Sequence, residues 1–281
     1  NGRVRLQASG SSSNINLGTN SQIIASAGSS GGDVAISSDG GDVTVGGSID
    51  ASGNVDGGSV SVVGNNVTQT AGSVIDASGG SSGGSVKIDS VELTSIDGKV
   101  DASSAYGTGG DIDITGDLIL ADANATITAD GMEGGKIRVG GDFQGKDTGL
   151  REASRVGVAE GADIRADGTL GNAGTVIVWA NNDTVFLGDV SAQARGIVGN
   201  GGLVEVSGKQ HLIFDGNASV HAANGKSGTL LFDPGDVIVG GKQVAVAAIE
   251  VVFDGTAHVV IDPDLPRENF TELGLSVLEE C

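Results

Sequence analysis

A unit of about 26 residues recurs along the chain, and nothing else in the sequence limits the fold so tightly. The stretch "SIDASGNVDGGSVSVVG" (48–64) is followed by "VIDASGGSSGGSVKID", "KVDASSAYGTGGDIDI" and "TITADGMEGGKIRVG". Each copy joins an apolar-x-Ala step to a glycine turn, and then to an apolar-x-apolar step. Counted at the last glycine of each turn, the register runs Gly2, Gly32, Gly58, Gly84, Gly110, Gly135, Gly174, Gly202 and Gly228. The spacings are 30, 26, 26, 26, 25, 39, 28 and 26. Two and four residues after each of these glycines the side chain is apolar, from Val4/Leu6 and Val34/Ile36 to Val204/Val206 and Leu230/Phe232. A second file occupies the other half of each unit: Ile23/Ala25, Ile49/Ala51, Ile75/Ala77, Val100/Ala102, Ile127/Ala129, Ile164/Ala166, Val190/Ala192 and Val220/Ala222.

Alternation with period two means strand, one face inward and one outward. A fixed longer period means that each unit is one turn of structure stacked on the last. Short strands with glycine turns, and no helical periodicity in residues 1–232, predict an all-β parallel β-helix of about nine coils. At about 4.8 Å per coil the rod is roughly 40 Å long. The glycines are expected where the chain turns with positive φ or passes close to the next coil. A β-sandwich or barrel also has many strands, but it does not require a constant register.

Composition fits a thin core. Gly supplies 50 of 281 residues, without a G-X-Y triplet period, and aromatics are only 3%. The apolar set is mainly Ala, Val and Ile, which suit strands. A net charge of −21 argues against nucleic acid and anionic membrane surfaces as partners. No run of about 18 apolar residues is present, so no membrane insertion is expected. Residue 1 is Asn and no leader is visible, so the chain reads as a processed product or an excised fragment. Cys281, the one cysteine, rules out an internal disulfide and is a candidate intermolecular contact.

Departures from the repeat mark special regions. The 39-residue spacing holds an insertion of about 13 residues near 143–156, expected to bulge as a loop. Outward positions of the early coils are polar, as in Ser59/Ser61, Ser85/Lys87 and Asp111/Asp113. In later coils Ile177, Leu203 and Leu231 take such positions, with Trp179 nearby, and that apolar strip needs a cover. Residues 233–281 leave the register and are assigned to a C-terminal strand/helix cap or docking segment. Asn269 and Glu272 form a capping-box pattern there, with Phe270, Leu273, Val277 and Leu278 on one helix face. At the other end Val4 and Leu6 are already in register, so this rim is a candidate site for end-to-end self-association.

The stretch 171–234 carries "GTVIVWA", "GNGGLVEVSGK" and "GTLLFDP", preceded by "REASRVGVAEGADIRAD". In order and spacing these elements resemble the β-helical shaft of two-partner-secretion exoproteins, the filamentous haemagglutinin-like proteins and high-molecular-weight adhesins. Residues 1–149 match only in repeat style. The resemblance implies a right-handed β-helix, secreted to a bacterial cell surface, with a role in adhesion or surface structure. It also implies that the family's N-terminal secretion domain lies outside this chain. The family's terminal cysteine pair is absent.

Candidate chemistry centres on Asp50, Asp76 and Asp101, which share the outward slot in successive coils. Stacked about 4.8 Å apart, like charges raise one another's pKa and attract cations, so Ca²⁺ is the one cofactor to weigh. The column is expected to continue through Thr128, Arg165, Ser191 and His221. A polysaccharide lyase or hydrolase would need a base and stacking aromatics beside such acids. His211, His221 and His258 have no metal-ligand spacing. Sequons at Asn66, Asn124, Asn182, Asn217 and Asn269 are glycosylation candidates. The reading is a non-enzymatic extracellular rod: an adhesin shaft or fibre subunit, whose partners are host or neighbouring-cell surfaces or glycans. The alternative is a polysaccharide-active enzyme using the Asp column.

Overall fold

The computed structural model describes residues 2–10, 12–147 and 149–240, together with the backbone of Val244–Ala245, Ile249–Val251 and Val259–Ile261. The described chain is an all-β solenoid of about nine turns, every strand pairing being parallel to the coil above or below. The inward files stack as the repeat requires. Val62 sits opposite Ile88, and Ile88 opposite Ile114. Ile49, Ile75 and Val100 form a second continuous file. All six side chains are 0–1% exposed, so the core is a set of columns running the length of the rod.

Each coil carries three strands rather than two. A middle set, from Ile15–Leu17 and Val43–Val45 through Leu118–Ala121 to His211–Phe214, adds a third file. Its inward positions include Gln69, Thr94 and Thr184, which breaks the apolar pattern. The structure accepts these groups because each is bonded. Gln69 Nε2 donates to the Lys99 carbonyl at 2.9 Å, Thr94 Oγ1 to the Thr115 carbonyl at 2.8 Å, and Thr184 Oγ1 to the Ser207 carbonyl at 2.9 Å.

The repeat glycines are close-approach residues. A Cβ at Gly58 would overlap the Gly32 carbonyl oxygen, and one at Gly84 would overlap that of Gly58. The same holds at Gly110, Gly174, Gly202 and Gly228, and none of these has positive φ. Corners are tied by Asx side chains. Asn14 Oδ1 accepts the Asp42 N–H, and Asp42 Oδ1 accepts the Asn66 N–H. Asn172 Oδ1 likewise accepts the Asn200 N–H, and Asn200 Oδ1 the Lys226 N–H. Such bonds occupy donors where the strand ladder breaks.

Three expectations change. The file Ile164, Val190 continues to Ala218, not Val220, and Ala222 sits opposite Ala194. A two-residue slip keeps every side chain on its face, so hydrophobic pattern cannot detect it. The winding also continues past residue 232. Asp236–Val239 pairs in parallel with His211–Phe214, and the three short strands beyond extend the same ladders. The expected helix, with Phe270, Leu273, Val277, Leu278 and Cys281, lies outside the described residues.

Finally, the insertion does not bulge. Its ends close through Ala153 N–H to the Gly140 carbonyl at 2.6 Å, and Ala153–Val158 is already strand. Residues 141–147 and 149–152 lie on the sheet as a strap. At one end the Arg151 guanidinium donates to the Ser90 carbonyl at 2.8 Å. At the other, the 3-10 turn Phe143–Gly145 packs on the strand Thr175–Phe186. Ile177, Trp179 and Leu231 are thereby 1–4% exposed, and Leu203 is half-buried.

Candidate functional site

The aspartate column exists as expected. Asp50 stands opposite Asp76, and Asp76 opposite Asp101. The carboxylates, however, are occupied by their own coils. Each precedes an inward Ala and then a Ser, so its Oδ1 accepts the N–H two residues on. The distances are 2.9 Å from Ser52, 2.8 Å from Ser78 and 2.8 Å from Ser103. Asp50 also accepts the Ser52 hydroxyl at 2.6 Å, and Lys99 Nζ lies 2.7 Å from Asp101 Oδ2. At Asp50, partial burial raises the pKa, but the Ser52 and Ser26 bonds outweigh it and hold the group below the usual value. At Asp101 burial is likewise outweighed, by Lys99 and Ser103. Mutual elevation therefore does not govern these two groups. The column is a row of Asx turns. Among the described residues, no three His, Cys, Asp or Glu side chains converge as a metal-holding group.

Beyond Asp101 the column runs through Thr128, Arg165, Ser191 and Ser219. His221 is displaced from it by the two-residue slip. Here the sequence reading missed a charged cluster. Arg165 donates to Asp130 at 2.7 Å and to Asp163 at 2.6 Å. Arg195 pairs with the buried Asp167. Burial would lower the Arg165 pKa, but Asp130 and Asp163 raise it overall. Burial raises the pKa of Asp163 and Asp167. A shallow cavity of about 330 Å³ lies over this cluster, lined by Asp163, Arg165, Asp189, Gln193, Arg195 and Asn217 among others. The signal was present as "DIRADG", whose first and third residues both point outward. Chemically the cluster offers hydrogen bonds. Arg165 is held protonated and is no general base.

The sequons sit on the coil surface and are used between coils. Asn66 Nδ2 donates to Asp42 at 2.9 Å, Asn124 Nδ2 to Asp97 at 2.9 Å and Asn217 Nδ2 to Asp189 at 2.5 Å. Asn182 Oδ1 accepts from Gln210 at 3.0 Å. Asn124 and Asn217 are the exposed pair. Asn269 and His258 lie outside the described residues. His211 Nδ1 is 2.7 Å from Asp183 Oδ1. Val4 and Leu6, in the first coil, are half-buried and pack on the core opposite Val34 and Ile36.

No protein-family model matches the chain, and no curated protein matches it in sequence. Among solved structures it is similar to the crystal structure of the HMW1 secretion domain from Haemophilus influenzae, at 22% identity and a TM-score of 0.54. The match covers 70% of this chain and 63% of that one. At this identity the likeness speaks for the β-helical fold.

Proposed function

We propose that this chain is a structural, non-enzymatic segment of a secreted exoprotein, a β-helical shaft that works at a bacterial cell surface in adhesion or fibre structure. One observation carries the reading. The aliphatic files are continuous through the coils, while the outward polar groups of the Asp column are committed to their own or neighbouring coils. Such a molecule resists bending and keeps its surface hydrated, but it presents few free reactive groups. The likeness in fold to a secretion domain supports export. The proposed partners are host or neighbouring-cell surfaces and their glycans, and further copies of the chain end to end.

One observation favours the polysaccharide-active alternative: acids and arginines share the cavity at Asp163, Arg165 and Asp189. The locked guanidinium of Arg165 counts against it. A single purified sample tests both readings. Electron microscopy is expected to show rods about 40 Å long, and cell or glycan binding is expected without cleavage. Concentration-dependent fibres would identify end-to-end assembly. Release of new sugar ends from a polysaccharide panel would overturn the structural reading.

A further inference from the structure

We propose that the strap segment of residues 141–147 is a pH-sensitive latch, held closed over the apolar strip by Glu205 and released when that carboxyl group ionises. Glu205 holds an outward position in a column that reads Asp113, Arg138, Ile177, Glu205, Leu231. It is 0% exposed because its neighbours in the column are apolar and the strap closes over it. The Gln144 N–H points at both carboxyl oxygens, at 3.3 and 3.1 Å, and Gln144 Nε2 donates to Asp233 at 2.8 Å. One residue of the strap thus bridges two carboxyl groups from successive coils.

The charges around Glu205 oppose its ionisation. The carboxyl groups of Asp142, on the strap, and of Asp233, between the strands Thr229–Phe232 and Asp236–Val239, both act against a charge on Glu205. Lys136 and Arg138 pair with Asp142, and Arg138 also pairs with Asp113. Lys146 is turned to the Gln144 side-chain oxygen. Glu250 holds the register position beyond Leu231. Burial, with Asp233 and Asp142, raises the Glu205 pKa to about 7, against the Gln144 and Ser207 bonds that lower it. The neutral carboxyl suits its apolar box, whereas the carboxylate requires water.

The closed strap also carries local costs that make release accessible. Gln144 has φ 55 and ψ 26, the left-handed region that non-glycine residues seldom occupy. The Trp179 indole N–H is buried and finds no hydrogen-bond partner among the described residues. Gly141 and Gly145 lie so close to the Trp179 ring that an added Cβ would collide with it. Lifting the strap therefore hydrates Glu205 and exposes the apolar strip together.

Trp179 is the only tryptophan in the chain, so its fluorescence reads the strap directly. In the full chain, emission is expected to shift to the red between pH 5 and pH 9. Acrylamide quenching should rise several-fold, with a midpoint between the ordinary glutamate value of 4.5 and about 7, while far-UV circular dichroism stays native. Glu205→Gln and Glu205→Leu are expected to abolish the transition and keep the emission blue at both extremes. A flat wild-type profile would overturn the latch, as would an equal transition in either folded variant. These readouts do not depend on export, adhesion or glycan binding.

Discussion

At the scale of single residues, the repeat glycines answer to one contact. The carbonyl of one turn passes over the α-carbon of the next, and eight successive coils reuse the arrangement. A methyl group there must displace backbone, which side-chain rotation cannot relieve. Gly84→Ala is therefore expected to cost about 1–3 kcal/mol, the range for forced overpacking. Gly28 also lies in a turn, but nothing is within 4 Å of its Cβ position, so Gly28→Ala should stay within about 0.5 kcal/mol. Denaturant melts of the two variants side by side check the claim, and equal losses would defeat it. Asp101 gives a second test, through pH. Its folded pKa is lowered, so its ionised form adds stability above the unfolded value, and this is lost as pH falls below about 4. In Asp101→Asn the acid limb of the stability profile should be shallower, while thermal unfolding at pH 7 is only slightly weakened. Glu205 has the opposite sign: its raised pKa makes the closed form lose stability as pH rises toward and through 7. The Asp column was legible in sequence because register alone positions it. Its pairing was not legible, because "DAS" does not say whether a carboxylate faces its neighbours or turns back to its own amide.

At the scale of strands, the sequence revealed two of three files. Files of Val, Ile and Ala announce themselves by alternation. The middle set hides behind Gln69, Thr94 and Thr184, whose burial depends on carbonyl partners more than twenty residues away in sequence. The insertion was visible as a lengthened spacing, and the strip it covers was visible in Ile177, Trp179 and Leu231. That the strap lies flat depends on Arg151 with Ser90 and on Gln144 with Glu205, pairs that each meet across 61 residues and have no local signature. The middle set also contains the bulkiest packing. Phe186 and Phe214 stack at 5.3 Å with rings 9° apart, and Phe214 meets Phe232 at 4.9 Å and 46°. All three are 0–1% exposed. Removing the central ring leaves a cavity that small aliphatic neighbours cannot fill. Phe214→Ala is expected to cost about 3–5 kcal/mol. Because each coil touches only its neighbours, the loss should stay local. Hydrogen exchange is expected to speed up around residues 176–186 and 203–232, and to leave residues 34–90 unchanged. Uniform loss of protection along the rod would contradict that.

At the scale of the whole molecule, the solenoid is a one-dimensional stack whose length is set by the number of coils. Ser59 stands opposite Ser85, Val60 opposite Val86 and Val62 opposite Ile88, with the glycine contact repeated from Gly58 to Gly84. Gly84 therefore meets the coil before it as Gly58 does, and residues 58–83 are a transferable unit. Duplicating those 26 residues between positions 83 and 84 should add one coil without altering any existing neighbour relation except the one that is split. Both new junctions would place a 58–83 coil against a coil it already tolerates in kind, and the inward files would gain Val60, Val62, Val67, Ile75 and Ala77 together with the buried Gln69 and Ser73. The expected product is a folded rod longer by about 4.8 Å. Small-angle scattering would show the added length, and a melting temperature within a few degrees of the parent would show that the junctions close. A β-sandwich or barrel has no place for such an insert and would unfold or aggregate. The strap limits where this works. It ties Ser90 in the fourth coil to Glu205 in the eighth. A duplicate inserted between those anchors and containing neither, for instance of residues 110–134 placed after 134, would stretch the tie by one coil spacing. That variant should keep the rod but release the strap, showing red-shifted Trp179 emission even at pH 5. If the 58–83 and 110–134 duplicates behaved alike, strap and coil stack would not be the independent elements that their contacts describe.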